Sequence, residues 1–223
     1  MPGSTDTIPL WRDLHESGVP FTLHAPHSTL GVNLADKSML EINAKAYKEV
    51  ALFAEALSPK YTVVHAGVNG SIDETIRQLK IIQPQNILIE NKPYKTIYGE
   101  PICRGAVFEE VKTVIDAYGC GFCLDIGHAV CSANSIGIDP YIQLKHFQSL
   151  GPSCYHLSDN RWDEEIDRHM HLGQGNYDFG KICDIINLQN DIAIETAKDS
   201  KTNLMDFAAD VLEIRKTVKA ECQ

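Results

Sequence analysis

Short apolar runs alternate along the chain with longer stretches in which apolar residues return every three or four positions. The short runs are Phe21-Thr22-Leu23-His24, Tyr61 to His65, Asn86 to Glu90, Gly121 to Asp125, Ser153 to His156 and Ile192 to Glu195. Their length and β-branched content predict buried strands. Residues 7–17 read as the end of a helix, and Lys37 to Leu57 carries Leu40, Ala44, Tyr47, Val50, Ala51, Ala54 and Leu57 at helical spacing. Ser71 with Glu74 forms a capping box for a helix through Ile76, Leu79 and Ile82, and Pro84 ends it. Residues 91–105 read as a long loop before a helix of Val107, Val111, Val114 and Ile115, and Ile126-Gly127-His128 as an extension of the fourth strand. Further helices are expected around Tyr141 to Phe147, over Phe179 to Leu188, and from Ser200 through Leu204, Phe207, Val211, Ile214 and Val218.

Strand followed by helix, six times over, predicts an α/β fold with a parallel sheet, because parallel neighbours need a crossover to connect them. No linker interrupts the pattern, so residues 1–223 are read as a single domain. An open six-stranded sheet leaves edges exposed, and a homo-oligomer is one way to cover them.

The strand ends change the picture from architecture to chemistry. They are His24, His65, Glu90, Asp125, His156 and Glu195, and in parallel sheets reactive groups gather at the carboxyl ends of the strands. Carboxylates buried together at the mouth of an apolar sheet are costly unless paired or bound to cations. The stretch from Cys154 to Gly175 adds Asp159, Asp163, Asp167, His169 and His171 in one loop. In an extended segment Asp167 and His169 point the same way, and imidazole with carboxylate suits zinc or manganese. Gly173 and Gly175 permit a tight turn, as a bound group beside the backbone would require.

Composition adds less. A net charge of -10 and a pI near 5.3 argue against a broad basic face for nucleic acid, although bound metals would add positive charge that this tally omits. Seven cysteines without regular spacing fit free thiols and a cytoplasmic protein, and no apolar run is long enough to cross a bilayer. Cys120 and Cys123 lie in a strand and read as small buried hydrophobes.

His24-Ala-Pro, Val64-His65-Ala-Gly, Glu90-Asn91, Leu124-Asp125-Ile-Gly-His128, His156-Leu-Ser-Asp159, Asp167-Arg-His169, Leu172-Gly-Gln-Gly175 and Glu195-Thr196 occur in that order. With them the chain resembles the xylose isomerase-like TIM barrels (AP endonuclease family 2), and within these the endonuclease IV group. The resemblance implies a parallel (β/α) barrel that is incomplete, with six βα units visible and the first two missing. It implies up to three zinc ions held by His24, His65, Glu90, Asp125, His128, His156, Asp167, His169 and Glu195. Glu90 would bridge two ions, His24 and His65 serve one, Asp125, His156 and Glu195 another, and His128, Asp167 and His169 the third. His27 rivals His24 for its place.

Two activities follow from the resemblance. One is hydrolysis of a phosphodiester at abasic sites in DNA by a hydroxide that bridges the metals. Lys92, Arg104 and Arg161 on rim loops are then candidates to contact phosphates. The other is isomerisation or epimerisation of a sugar or sugar phosphate around one Mn²⁺ or Mg²⁺, with carboxylates such as Glu90 and Glu195 exchanging protons at carbon. A non-catalytic metal-binding barrel is a third possibility.

Overall fold

The structure is a computed structural model that describes residues 5–96 and 102–221. Six strands, β1 (Leu23–His24), β2 (Thr62–His65), β3 (Ile87–Glu90), β4 (Gly121–Asp125), β5 (Cys154–Leu157) and β6 (Asp191–Ile194), form one sheet in sequence order, and every neighbouring pair is parallel. The crossovers carry helices α1 (Ile8–Glu16), α2 (Leu40–Leu57), α3 (Ile72–Ile82), α4 (Phe108–Tyr118), α5 (Ile126–Ile136), α6 (Pro140–Gln148), α7 (Phe179–Cys183) and α8 (Met205–Glu221). The sheet curls into a half-barrel, so far that Lys60 and Tyr61, at the start of β2, reach Asp191 at the start of β6 with contacts of 3.0 and 3.4 Å. No helix among the described residues is long and apolar enough to cross a membrane.

Alternation along the strands divides the interior in two. Val64, Ile87, Ile89, Phe122, Leu124, Tyr155 and Leu157 face outward and join the helices in the main apolar core. Tyr61, Val63, Leu88, Cys123 and Cys154 face inward as a smaller cluster that plugs the curl. Strand tilt staggers the rows. His65, Glu90, Cys123, Cys154 and Asp191 therefore share one register line, and β4 and β5 run two residues higher before presenting Asp125 and His156.

Four elements differ from the sequence expectations. The Ile126-Gly127-His128 segment does not extend β4 but opens α5, with the Asp125 carboxylate accepting from the His128 amide at 2.7 Å. Residues 126–133 of α5 are all buried, so no polar face marks the helix in the sequence. α7 is five residues long rather than running to Leu188, and α8 begins at Met205 rather than Ser200. β1 has only two residues. The capping box before α3 is half made: Ser71 Oγ accepts from the Glu74 amide, while the Glu74 side chain turns to Arg77 and Gln78. Within the expected loop over 91–105, residues 97–101 lie outside the described residues, as do the side chain of Val218 and Cys222.

Candidate metal centre

Five strand ends converge on Glu90, which is fully buried. Its Oε2 lies 3.1 Å from His24 Nε2, 3.0 Å from His65 Nε2 and 3.7 Å from His156 Nδ1, and its Oε1 lies 2.9 Å from His128 Nδ1. Glu195 follows β6 and brings Oε1 to 3.0 Å from His156 Nδ1. Asp125 sits beside His128, 3.6 Å from its Nδ1. His27 stands outside this knot, its ring 4.7 Å from that of His65 and 5.8 Å from that of His24, so His24 is the histidine that touches Glu90.

Donor atoms of Glu90, Asp125, His156 and Glu195 all lie within 4.8 Å of one another, as do those of His24, Glu90 and His156, and those of His128, Asp167 and His169. These groups use eight of the nine residues expected from the sequence, and His65 stands against Glu90 beside them. Asp167 and His169 converge through a turn rather than an extended segment. His169 adopts φ of 48°, its amide donates to Asp167 Oδ1 at 2.9 Å, and its Nδ1 meets the Glu195 carbonyl at 2.7 Å.

The donor set tests well for a cation. Buried polar atoms are normally hydrogen-bonded, yet Asp125 Oδ2, Asp167 Oδ2 and His156 Nδ1 have no hydrogen-bond partner, and all three belong to these groups. His156 Nδ1 is close to Glu195 without hydrogen-bond geometry, which is how two ligands of one ion stand. Four carboxylates and several imidazoles gathered in this way fit zinc, manganese or magnesium.

The electrostatics follow from crowding. Burial drives Asp125 up to about 6 despite the neighbouring His128. Burial acts the same way on Glu90, but Lys92 and the surrounding imidazoles outweigh it and hold that carboxyl well below the usual range. Glu195, opposed by burial but paired with His156, falls to about 2.

Residues outside the expected set hold these groups in place. Asn91 ties β3 to β4, donating to the Asp125 carbonyl at 2.9 Å and accepting from the Asp125 amide at 2.8 Å, while its carbonyl meets His128 Nδ1 at 3.0 Å. Asp210 of α8, buried, accepts from Thr196 Oγ1 and the Leu172 amide and pairs with His171 Nδ1 at 2.8 Å, anchoring the loop that carries Asp167 and His169. Asp159 accepts from the amides of Asn160, Gly173, Gly175 and Tyr177. A Cβ on Gly175 would stand 2.2 Å from the Asn160 carbonyl oxygen, so this glycine serves the packing of its own loop. Gly127 leaves room for the Asp167 carboxylate, which a Cβ would meet at 2.6 Å. Of these, Asn91, Gly127, Asp159, Leu172, Gly173, Gly175 and Thr196 fall inside sequence motifs; Asp210 is 39 residues from His171 and carries no local signal.

The three cations placed on the rim differ among themselves. Lys92 reaches into the centre, its Nζ 3.2 Å from His65 Nε2, 3.3 Å from His128 Nε2 and 3.4 Å from Glu90 Oε1. Arg104 is engaged by the Asn69 carbonyl and Glu110 at 2.6 and 2.9 Å. Arg161 is exposed.

Comparison with known proteins bears on the fold. The family described as xylose isomerase-like TIM barrel matches residues 9–203. No curated protein sequence matches. Among solved structures, a D-tagatose 3-epimerase-like protein superposes with a TM-score of 0.75 at 21% identity, covering 98% of this chain and 84% of its own. Endonuclease IV from Thermus thermophilus superposes with a TM-score of 0.73 at 23% identity, covering 97% and 83%. A further protein from Thermus thermophilus, soaked with zinc chloride, gives 0.64 at 17% identity, covering 97% and 86%.

Proposed function

Because the chain belongs to the xylose isomerase-like TIM barrel family, we propose that it is a divalent-cation-dependent hydrolase of phosphodiesters, with abasic DNA as its substrate class. The observation that carries this reading is the separate group of His128, Asp167 and His169. Proton exchange on a sugar around one ion is served by Glu90, Asp125, His156 and Glu195 alone, and leaves that group without work.

Zinc is the cation we assign, at up to three positions, and when bound it supplies Lewis-acid stabilisation of phosphoryl oxygens and a more acidic water. Glu90, touched by His24, His65 and His128, sets the spacing between the groups. Asp125 is fixed twice over, through its carbonyl and amide on Asn91, so its carboxylate meets the site with little freedom left. Lys92 holds an ammonium among the same side chains, where it can meet a phosphoryl oxygen at the floor of the site rather than at its rim. Cations here also offset the net charge of -10, which by itself disfavours a nucleic acid.

One observation favours a second reading, epimerisation of a sugar. The group of Glu90, Asp125, His156 and Glu195 offers four donors to a single manganese or magnesium, and its carboxylates would serve to exchange a proton with a substrate carbon.

The two readings separate on His169. Cleavage of an oligonucleotide containing one abasic site, and solvent-deuterium exchange into ketoses followed by NMR, are to be measured for the wild type and His169→Ala. Hydrolysis predicts cleavage by the wild type that falls by ~100-fold in the variant, with no exchange in either. Exchange that survives the substitution, without cleavage, overturns the proposal in favour of the sugar reaction.

A further inference from the structure

Directly beneath the carboxylates and imidazoles lies a second set of donors made of sulfur. Cys123 and Cys154 are partners in the β4–β5 register, and their side chains share the inward face with Asp125 and His156, two residues farther along. Both cysteines are fully buried and neither is in a disulfide. Each offers its sulfur within 4.8 Å of the other and of an imidazole nitrogen of His156. His156 is 4% exposed, and its Nδ1 has no hydrogen-bond partner.

We propose that Cys123, Cys154 and His156 form a binding site for a thiophilic d¹⁰ cation such as Cd²⁺ or Zn²⁺, distinct in ligand chemistry from the oxygen-rich groups above it. Two thiolates and one imidazole are a soft set that selects zinc-like ions over magnesium or manganese. Binding displaces the two thiol protons to solvent and leaves the ion with two sulfur ligands and one nitrogen, so no oxidant is required. Among the described residues, the other cysteines do not match this arrangement. Cys120, the sequence neighbour in the C-x-x-C, is half-buried and stands outside the inward cluster that holds Cys123, so the strand pairing rather than the sequence spacing makes the pair.

His156 belongs to both layers. Its imidazole also serves the group of Glu90, Asp125 and Glu195, so an ion bound to the sulfurs competes with an ion above for one ligand. The inference holds whichever reaction the upper groups carry out, because it rests on register and donor type alone.

Cadmium is the probe. The wild type, titrated with CdCl₂ under reducing conditions, should develop the ultraviolet sulfur-to-cadmium charge-transfer absorption and saturate it with one tightly bound equivalent. Cys123→Ala/Cys154→Ala should lose that band and that equivalent, and Cys120→Ala should keep both. Cys154→Ser, which preserves size, guards against a packing defect in the double variant, and thermal melts of all variants report folding. An absorption of equal strength in the folded double variant or in Cys154→Ser overturns the proposal, as does a wild type that binds cadmium without the band.

Discussion

The two ends of the same inward-facing columns carry opposite chemistry. At the amino end, Tyr61, Val63, Leu88, Cys123 and Cys154 pack as a dry plug, while two residues farther along β2 to β5 the columns end in His65, Glu90, Asp125 and His156. Two residues of strand are about 6.6 Å. Over that distance the interior passes from side chains that stabilise by burial to side chains whose burial costs energy and is offset in part by mutual pairing. The buried lower end fixes the strand register that sets the spacing of the unpartnered oxygen and nitrogen atoms at the upper end.

Exchanging one residue on each side of this boundary should have different consequences. Glu90→Gln, at the upper end, keeps the volume but removes the charge that faces His24, His65, His128 and Lys92. Metal affinity, measured by competition with a chromophoric chelator, should fall by at least ~100-fold, and an unchanged affinity would show that Glu90 is not a ligand. Leu88→Ala, two residues earlier on the same strand, should instead cost about 3 kcal/mol of unfolding free energy through the cavity it leaves, with metal affinity within about threefold of wild type. If Leu88→Ala lowers affinity as much as Glu90→Gln does, the two ends are not separable.

A smaller effect is expected where the loop of Asp167 and His169 meets α8. Asp210 holds His171 in its protonated form, burial opposes this, and Asp199 adds to it, so the imidazole titrates above its ordinary value. A group raised on folding contributes stability that is fully present below its unfolded pKa of about 6.5 and is lost as pH rises through the higher folded value. The stability difference between wild type and His171→Asn should therefore be largest near about pH 5.5 and shrink toward about pH 9. A difference that grows with pH would contradict the pairing.

Much of the upper end is legible in the sequence because six of the candidate ligands sit at the ends of short apolar runs, where the run itself announces a strand. His24, His65, Glu90 and Asp125 end their strands, His156 is the last residue but one of β5, and Glu195 directly follows β6. The sequence was less informative wherever position depends on partners far along the chain. The first eight residues of α5 are buried on every side and show no polar face to reveal a helical period, so Ile126-Gly127-His128 reads in the sequence as a continuation of β4. Lys92 reads as one more charge on a loop, yet the curl of the sheet turns it in among His65, His128 and Glu90. Asp210 and the pairing of Cys123 with Cys154 depend on helix docking and strand register, neither of which local spacing encodes.

Equilibrium dialysis of the chelator-stripped protein against zinc, with bound ion counted by elemental analysis, tests most directly whether the gathered acids and imidazoles hold cations together. More than one tightly bound zinc per chain, reduced in Glu90→Gln, is the predicted result. A wild type that retains no zinc, or a Glu90→Gln variant that retains just as much, would contradict it.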